Sequence, residues 1–197
     1  MVAIATHYAL NYNRHRQPIP AGAVSLEFPL KGGSFQVIQS GPNGKTHTLP
    51  VEKYALDITK PIKLSDFLKF RQSSLESNPT FGSPIYSPCA GNAIIAVGGF
   101  DDMPIGIAGS ANESNHITIH CKQFNVAMVH FKKDSILVKV GDAGAVCQEI
   151  GLIGNSGYLS SPHLHLMSYK ISSNPDDKIA LPIIFNGKYL FRGDIYP

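Results

Sequence analysis

From Val24 onward the apolar residues fall in short runs separated by glycine and proline. Valine, isoleucine, phenylalanine and tyrosine dominate these runs, and turn-forming residues bound them, a pattern of strands rather than helices. The spacing predicts strands over Ser34–Gln39, Tyr54–Ile58, Ala93–Val97, Ile117–His120, Val126–Phe131, Ile136–Val140, Glu149–Ile153, His163–Tyr169 and Leu181–Phe185. Asn186-Gly187, set between Ile183-Ile184-Phe185 and Tyr189-Leu190-Phe191, predicts a tight hairpin. One segment, Lys63–Gln72, has helical spacing, with Leu64, Phe67 and Leu68 on one face. Residues 1–23 show no sustained period and read as an N-terminal arm, leaving 24–197 as the folded domain. Many short strands with regular turns predict an all-β sandwich or barrel-like domain.

Composition narrows the function classes. A length of 197 residues with 43% hydrophobic content fits one domain with a real core. The net charge of +3 is spread over both signs, and no polybasic run or arginine-rich helix points to nucleic acid. No apolar run approaches the roughly 18 residues of a membrane span, and the N-terminus lacks the pattern of a secretory leader. Cys89, Cys121 and Cys147 are an odd number and far apart, so they are expected to be small buried hydrophobes without a disulfide framework.

The chemistry concentrates near residue 160. The turn Gly154-Asn155-Ser156-Gly157 leads to Pro162-His163-Leu164-His165-Leu166. On a strand, His163 and His165 share one face, roughly 7 Å apart, and Leu164 and Leu166 share the other. Two imidazoles so placed suit a site where one holds a metal and its neighbour handles a proton. Gly44-Lys45-Thr46 superficially resembles the end of a phosphate-binding loop. That loop needs a glycine where this chain has Gln39 and a helix after it, which Pro50 opposes.

Of the eight histidines, His47 precedes a strand that contains Asp57, and His130 ends the run Val126-Ala127-Met128-Val129. Zinc catalysis takes three ligands from His, Asp or Glu and keeps one position open for water. His47, Asp57 and His165 could supply those ligands, leaving His130 and His163 for proton handling and oxyanion stabilisation. His116 and His120 share a strand face with Thr118 and read as structural or supporting residues beside the groove. Tyr54 and Tyr86 read as core or rim, and Asn155 and Ser156 as turn-shaping residues.

From about Phe28 to Tyr196 the chain resembles the lysostaphin-type (LytM-like) zinc metallopeptidases, which are peptidoglycan endopeptidases. The resemblance is carried by an ordered series: Phe28-Pro29-Leu30-Lys31-Gly32-Gly33, His47, Tyr54-Ala55-Leu56-Asp57-Ile58, and Phe81-Gly82-Ser83-Pro84 with its hairpin to Gly91. It continues through Asn115-His116-Ile117-Thr118-Ile119-His120, Val129-His130-Phe131, Ser135–Asp142, Gln148-Glu149-Ile150-Gly151, Gly154-Asn155-Ser156-Gly157 and Pro162-His163-Leu164-His165. The resemblance implies an antiparallel sheet with a groove over its centre. It implies one Zn2+ per chain on His47, Asp57 and His165, with His130 and His163 as catalytic histidines. It also implies a peptidoglycan stem or cross-bridge peptide as substrate, a monomer, and residence in the cell envelope, periplasm or outside the cell. The absent leader keeps a cytoplasmic location open.

Two departures stand out. Nine residues, Thr48 to Leu56, separate His47 from Asp57, where the best-studied members have a short spacing. A further insertion, about Thr59 to Thr80, carries the predicted helix and is expected to cover or narrow the groove. Two alternatives stay open: a non-hydrolytic relative that binds peptidoglycan or a protein through the same groove, and a zinc peptidase acting on peptides outside the cell wall.

Overall fold

A computed structural model describes residues 18–42, 46–61, 74–174 and 176–197. The predicted helix Lys63–Gln72 and residues 1–17 of the predicted arm lie outside the described residues.

The described chain is almost entirely β. Its strands are β1 (Val24–Leu26), β2 (Phe35–Ser40), β3 (Leu56–Thr59), β4 (Pro84–Tyr86), β5 (Gly91–Val97), β6 (His116–Cys121) and β7 (Phe124–Val129). They continue as β8 (Ala143–Gly144), β9 (Glu149–Leu152), β10 (Leu164–Ile171), β11 (Lys178–Leu181), β12 (Ile183–Phe185), β13 (Lys188–Tyr189) and β14 (Ile195–Tyr196). The described helical turns are short 3-10 pieces such as Pro50–Glu52, so no described helix is long and apolar enough to cross a membrane.

One large antiparallel sheet runs in the order β14-β2-β3-β10-β7-β6-β5-β8. The long strand β10 is its axis. It pairs with β7 along one edge, and along the other first with β3 and then with β11. Two small sheets, β1-β12-β13 and β4-β9, form the second layer. Among the described residues, the pair β1–β12 is parallel and the other strand pairs are antiparallel.

The core forms where the inward faces meet. Leu56, Ile58, Ile117, Met128, Leu164 and Leu166 from the large sheet are fully buried with Ile85, Ile150 and Phe185 from the small ones. Each such side chain contributes roughly 1.5–3 kcal/mol of apolar burial. Phe28 stacks on Tyr196 with ring centroids 4.1 Å apart, sealing the last strand to the core.

Several expected strands change at their ends for local reasons. The strand expected to reach Phe131 stops at Val129, because His130 takes a left-handed backbone (φ 72°) that no ladder accommodates. Leu181–Phe185 divides at Pro182, which has no N–H for the ladder. Ile136–Val140 is not a strand. Val138 is buried and Leu137 exposed as alternation predicts, but Lys139 is held in a turn by Asp142 instead of in a ladder. The Asn186-Gly187 hairpin forms as predicted, with both residues at positive φ.

The cysteine expectation is corrected. Cys89, just before β5, and Cys121, at the end of β6, form a disulfide, while Cys147 is free and half-buried. The two partners are 32 residues apart in sequence, and only the β5–β6 pairing brings them together.

Candidate active site

The sheet register assembles the site. Gln39, Asp57, His165 and Val129 lie opposite one another on the neighbouring strands β2, β3, β10 and β7. Alternation sends Leu56, Ile58, Leu164 and Leu166 to the opposite, buried face. The apolar burial that fixes the register of β3 and β10 therefore also sets Asp57 directly across from His165.

His47 joins this row from the loop after β2. Its Nδ1 donates to the Gly41 carbonyl at 2.8 Å, and its Nε2 lies 3.1 Å from Asp57 Oδ1. His165 Nδ1 lies 2.9 Å from the same oxygen. Ligand atoms of these three buried residues all lie within 4.8 Å of one another. A carbonyl can only accept, so His47 Nδ1 carries the hydrogen and the neutral ring turns its Nε2 lone pair toward the carboxylate. A proton shared with the carboxylate, or a metal ion among the three groups, accounts for their lying this close. Two imidazole nitrogens and a carboxylate oxygen are a donor set suited to a divalent metal such as zinc. The three residues therefore fit a metal ion.

The electrostatics follow the same logic. Burial disfavours the charged form of Asp57, but His163, His165 and His47 around it outweigh burial and hold its carboxyl well below the usual carboxylate range. Burial also pushes His47 down, yet the hydrogen bond and charge of Asp57, with the Gly41 carbonyl, raise it overall.

His130 and His163 form a second group. His130 Nδ1 donates to the Ser156 carbonyl and His163 Nδ1 to the Ser161 carbonyl, both at 2.8 Å. Each neutral ring is thereby left with Nε2 as its proton acceptor. The ring centroids are 4.9 Å apart, and His130 is 6.1 Å from His165. His163 Nε2 is 3.7 Å from Asp57 Oδ1. Burial, reinforced for His130 by His163 and His165, holds His130 well below the ordinary value of 6.5. Burial lowers His163 as well, against the opposing pull of Asp57.

The left-handed backbone at His130 is over-determined by its neighbours. Gly154 N–H donates to the His130 carbonyl at 2.8 Å. Ser156 Oγ donates to the Phe131 carbonyl at 2.9 Å and accepts from Asn115 N–H at 3.1 Å. Asn115, fully buried, donates through Nδ2 to the carbonyls of Phe100 and Phe131. At Gly157 any Cβ would collide with the Ser114 side chain. Ser156 thus does more than shape a turn. Asn115 carries a role that sequence reasoning missed, although its place in an ordered motif was the available signal.

A cleft of about 380 Å³ opens over the row. Its lining includes His47, Asp57, His130, His163 and His165, together with Gln39, Glu52 and Tyr158–Ser161. All five sequence-predicted site residues meet there. His116 and His120 are not among its lining residues: His116 Nδ1 donates to the Ser114 carbonyl, and His120 Nδ1 lies 2.8 Å from Asn125 Oδ1. Tyr54 and Tyr86 are also absent from the lining, and each lies beneath a lysine, Lys53 and Lys31 respectively. The long connection between His47 and Asp57 is taken up by the Pro50–Glu52 turn, which returns the chain to β3. The Thr59–Thr80 insertion is tied at its base by Thr59 Oγ1 and Thr80 Oγ1, 2.7 Å apart. Residues 62–73 of this insertion, which was expected to cover or narrow the groove, lie outside the described residues.

No protein-family model matches the chain. An uncharacterized metalloprotease of Buchnera aphidicola subsp. Baizongia pistaciae is 34% identical over 111 residues, half of this chain. The match takes in 28% of that relative's length. Among solved structures, a zinc-containing peptidase from Vibrio cholerae is similar at 22% identity, covering 81% of this chain and 41% of its own, with a TM-score of 0.47. The catalytic domain of the prophage-encoded M23 protein EnpA from Enterococcus faecalis, a point mutant, is similar at 17% identity, covering 83% and 95%, with a TM-score of 0.49. The catalytic domain of the antimicrobial peptidase lysostaphin from Staphylococcus simulans is similar at 18% identity, covering 75% and 87%, with a TM-score of 0.45.

Proposed function

We propose that the chain is a zinc-dependent endopeptidase that hydrolyses peptide bonds of bacterial cell-wall peptidoglycan. One observation carries this reading: a buried His47–Asp57–His165 cluster shares its cleft with two histidines whose Nε2 atoms are left as acceptors. The relative named a metalloprotease supports the same reaction class.

In this reading His47 Nε2, a carboxylate oxygen of Asp57 and His165 Nδ1 hold the ion. Zinc bound there supplies Lewis acidity, polarising a carbonyl and lowering the pKa of water toward about 7. The protein's own residues do the proton work. His130 or His163, kept neutral by burial, accepts at Nε2 the proton of the water that attacks the peptide carbonyl carbon, while its Nδ1–H stays on a backbone carbonyl. The imidazolium so formed is anchored in place. It steadies developing negative charge on the substrate oxygen and returns its proton to the leaving amine. Tyr158, 56% exposed, and Glu52 and Gln39 line the same cleft and would bound a peptide held there. The Cys89–Cys121 disulfide supports a site of action in the envelope, periplasm or medium, where such bonds persist.

The test is zinc content of the wild type beside His165→Ala, followed by sacculus digestion with and without chelator. One zinc per wild-type chain, lost in the variant, with chelator-sensitive release of peptides, is the expected outcome. A wild type that takes up no zinc on reconstitution overturns the reading. Zinc without peptide release favours a non-hydrolytic binder using the same groove.

A further inference from the structure

His130 depends on two turns that the chain places far apart in sequence, the one it begins itself and the one at Gly154–Gly157. The segment between β5 and β6 lies against both. Within it, the half-buried Asp102 accepts from two backbone N–H groups. Its Oδ1 takes the Asn155 N–H at 2.6 Å, and its Oδ2 takes the Lys133 N–H at 3.1 Å. Met103 continues the seam: its N–H donates to the Asn155 carbonyl at 2.9 Å, and its carbonyl accepts from Asn155 Nδ2 at 2.6 Å. The approach is close enough that a Cβ at Gly154 would collide with the Lys132 backbone and with the Asp102 carboxylate.

We infer that Asp102 is a positioning residue for His130: one carboxylate ties the turn after His130 to the turn whose Ser156 carbonyl holds the His130 ring. The inference rests on the role proposed above for His130, but the clamp itself is a property of the fold. Two bonds to an ionised acceptor are stronger than neutral ones, and they act on both turns at once. Without them the two turns keep the Gly154–His130 and Ser156–Phe131 bonds but lose the carboxylate that braces both from outside, and a displacement of about 1 Å at a reacting group can cost roughly a hundredfold in rate. Asp102 is not among the cleft-lining residues, so its effect falls on the chemical step rather than on substrate capture. Neighbouring Asp101 provides the contrast. It pairs with Lys133 Nζ at 2.7 Å on the surface, with its side chain 80% exposed, and clamps no turn.

The test compares D102A, D102N and D101N in the full chain with zinc loaded. D102A should lower the sacculus digestion rate roughly tenfold to a hundredfold at saturating substrate, with the half-saturating concentration and the zinc content unchanged. D102N keeps one carbonyl oxygen but turns an NH2 toward the other N–H, so it should fall between wild type and D102A. D101N should match wild type. An activity-independent arm uses side-chain nitrogen NMR of the metal-free protein. The slowly exchanging Nδ1–H signal of His130 should be present in wild type and D101N and be lost or broadened in D102A. Should D102A fail to fold, D102N is read by the same two measurements. An unchanged rate and an unchanged Nδ1–H signal overturn the clamp. Absence of digestion by the wild type overturns the hydrolytic reading alone, because the NMR arm still decides the clamp.

Discussion

The two halves of the site are built in opposite ways. His47, Asp57 and His165 come from a loop and two strands, and nitrogens of both rings point at one carboxylate oxygen. His130 and His163 are each fastened by Nδ1 to a backbone carbonyl and leave Nε2 outward. The first cluster concentrates negative potential and lone pairs, so it attracts a cation. The second is buried with its charged form disfavoured, so it stays neutral and ready to take a proton. The supporting scaffolds differ too. The cluster leans on a sheet register set by buried leucines and isoleucines, whereas the His130 side leans on a polar network with a strained backbone at its centre. Apolar burial is enough to bring the residues of the proposed metal site together, but holding His130, the proposed base, in place requires hydrogen bonds that the sheet alone does not supply.

Separating the halves by mutation tests this contrast. Asp57→Ala should have the largest effect: the oxygen shared by both ligand histidines is gone, so zinc content should fall to near zero and digestion with it. Unchanged zinc by metal analysis would break the assignment of the cluster. His130→Gln should leave zinc bound while lowering the rate by roughly 10²–10⁴-fold. Equal loss of zinc in that variant would mean the halves are not separate.

The pH response sharpens the same distinction. His130 sits well below 6.5 in the fold, whereas in the unfolded chain it titrates near that value. As pH falls through 6.5, the unfolded state binds the proton first, so the metal-free wild type loses stability. His130→Gln lacks that penalty. The unfolding free energy of the variant minus that of the wild type should therefore rise as pH drops below 6.5. A difference independent of pH in denaturant melts would show that the ring is not held neutral. Digestion should likewise persist through pH 6.5 and fail on the more acid side, and loss of half the rate above that value would contradict a base with a lowered pKa.

The smallest effect expected on the chemistry comes from the disulfide. Replacing Cys89 and Cys121 together by serine should cost roughly 2–4 kcal/mol of stability while leaving zinc content intact. Loss of zinc in a folded double variant would mean that the β5–β6 end supports the cluster directly.

Much of this was legible in the chain. Alternating Leu164, His165 and Leu166 on one strand, and Leu56, Asp57 and Ile58 on another, already placed both polar residues on the face away from the core, because side chains alternate on any strand. Glycine and proline marked the turns, and Asn186-Gly187 marked its hairpin. The five proposed site residues were grouped by residue type and assigned roles by the resemblance of their ordered motifs to the lysostaphin-type peptidases, and the structure brings them into one cleft. Other features had no local signature. Cys89 and Cys121 are separated by 32 residues and meet through β5–β6 pairing. Ile136–Val140 carries a strand-like pattern but, among the described residues, its backbone donates to β9 through the Leu137 N–H to Ile150 carbonyl bond without building a ladder. Asn115, Ser156 and Asp102 hold His130 through bonds spanning 16 to 53 residues. Periodicity reports which side of an element faces the core. Which distant backbone group a buried carboxylate or amide will meet depends on how the elements pack, and for this protein that was settled only in three dimensions.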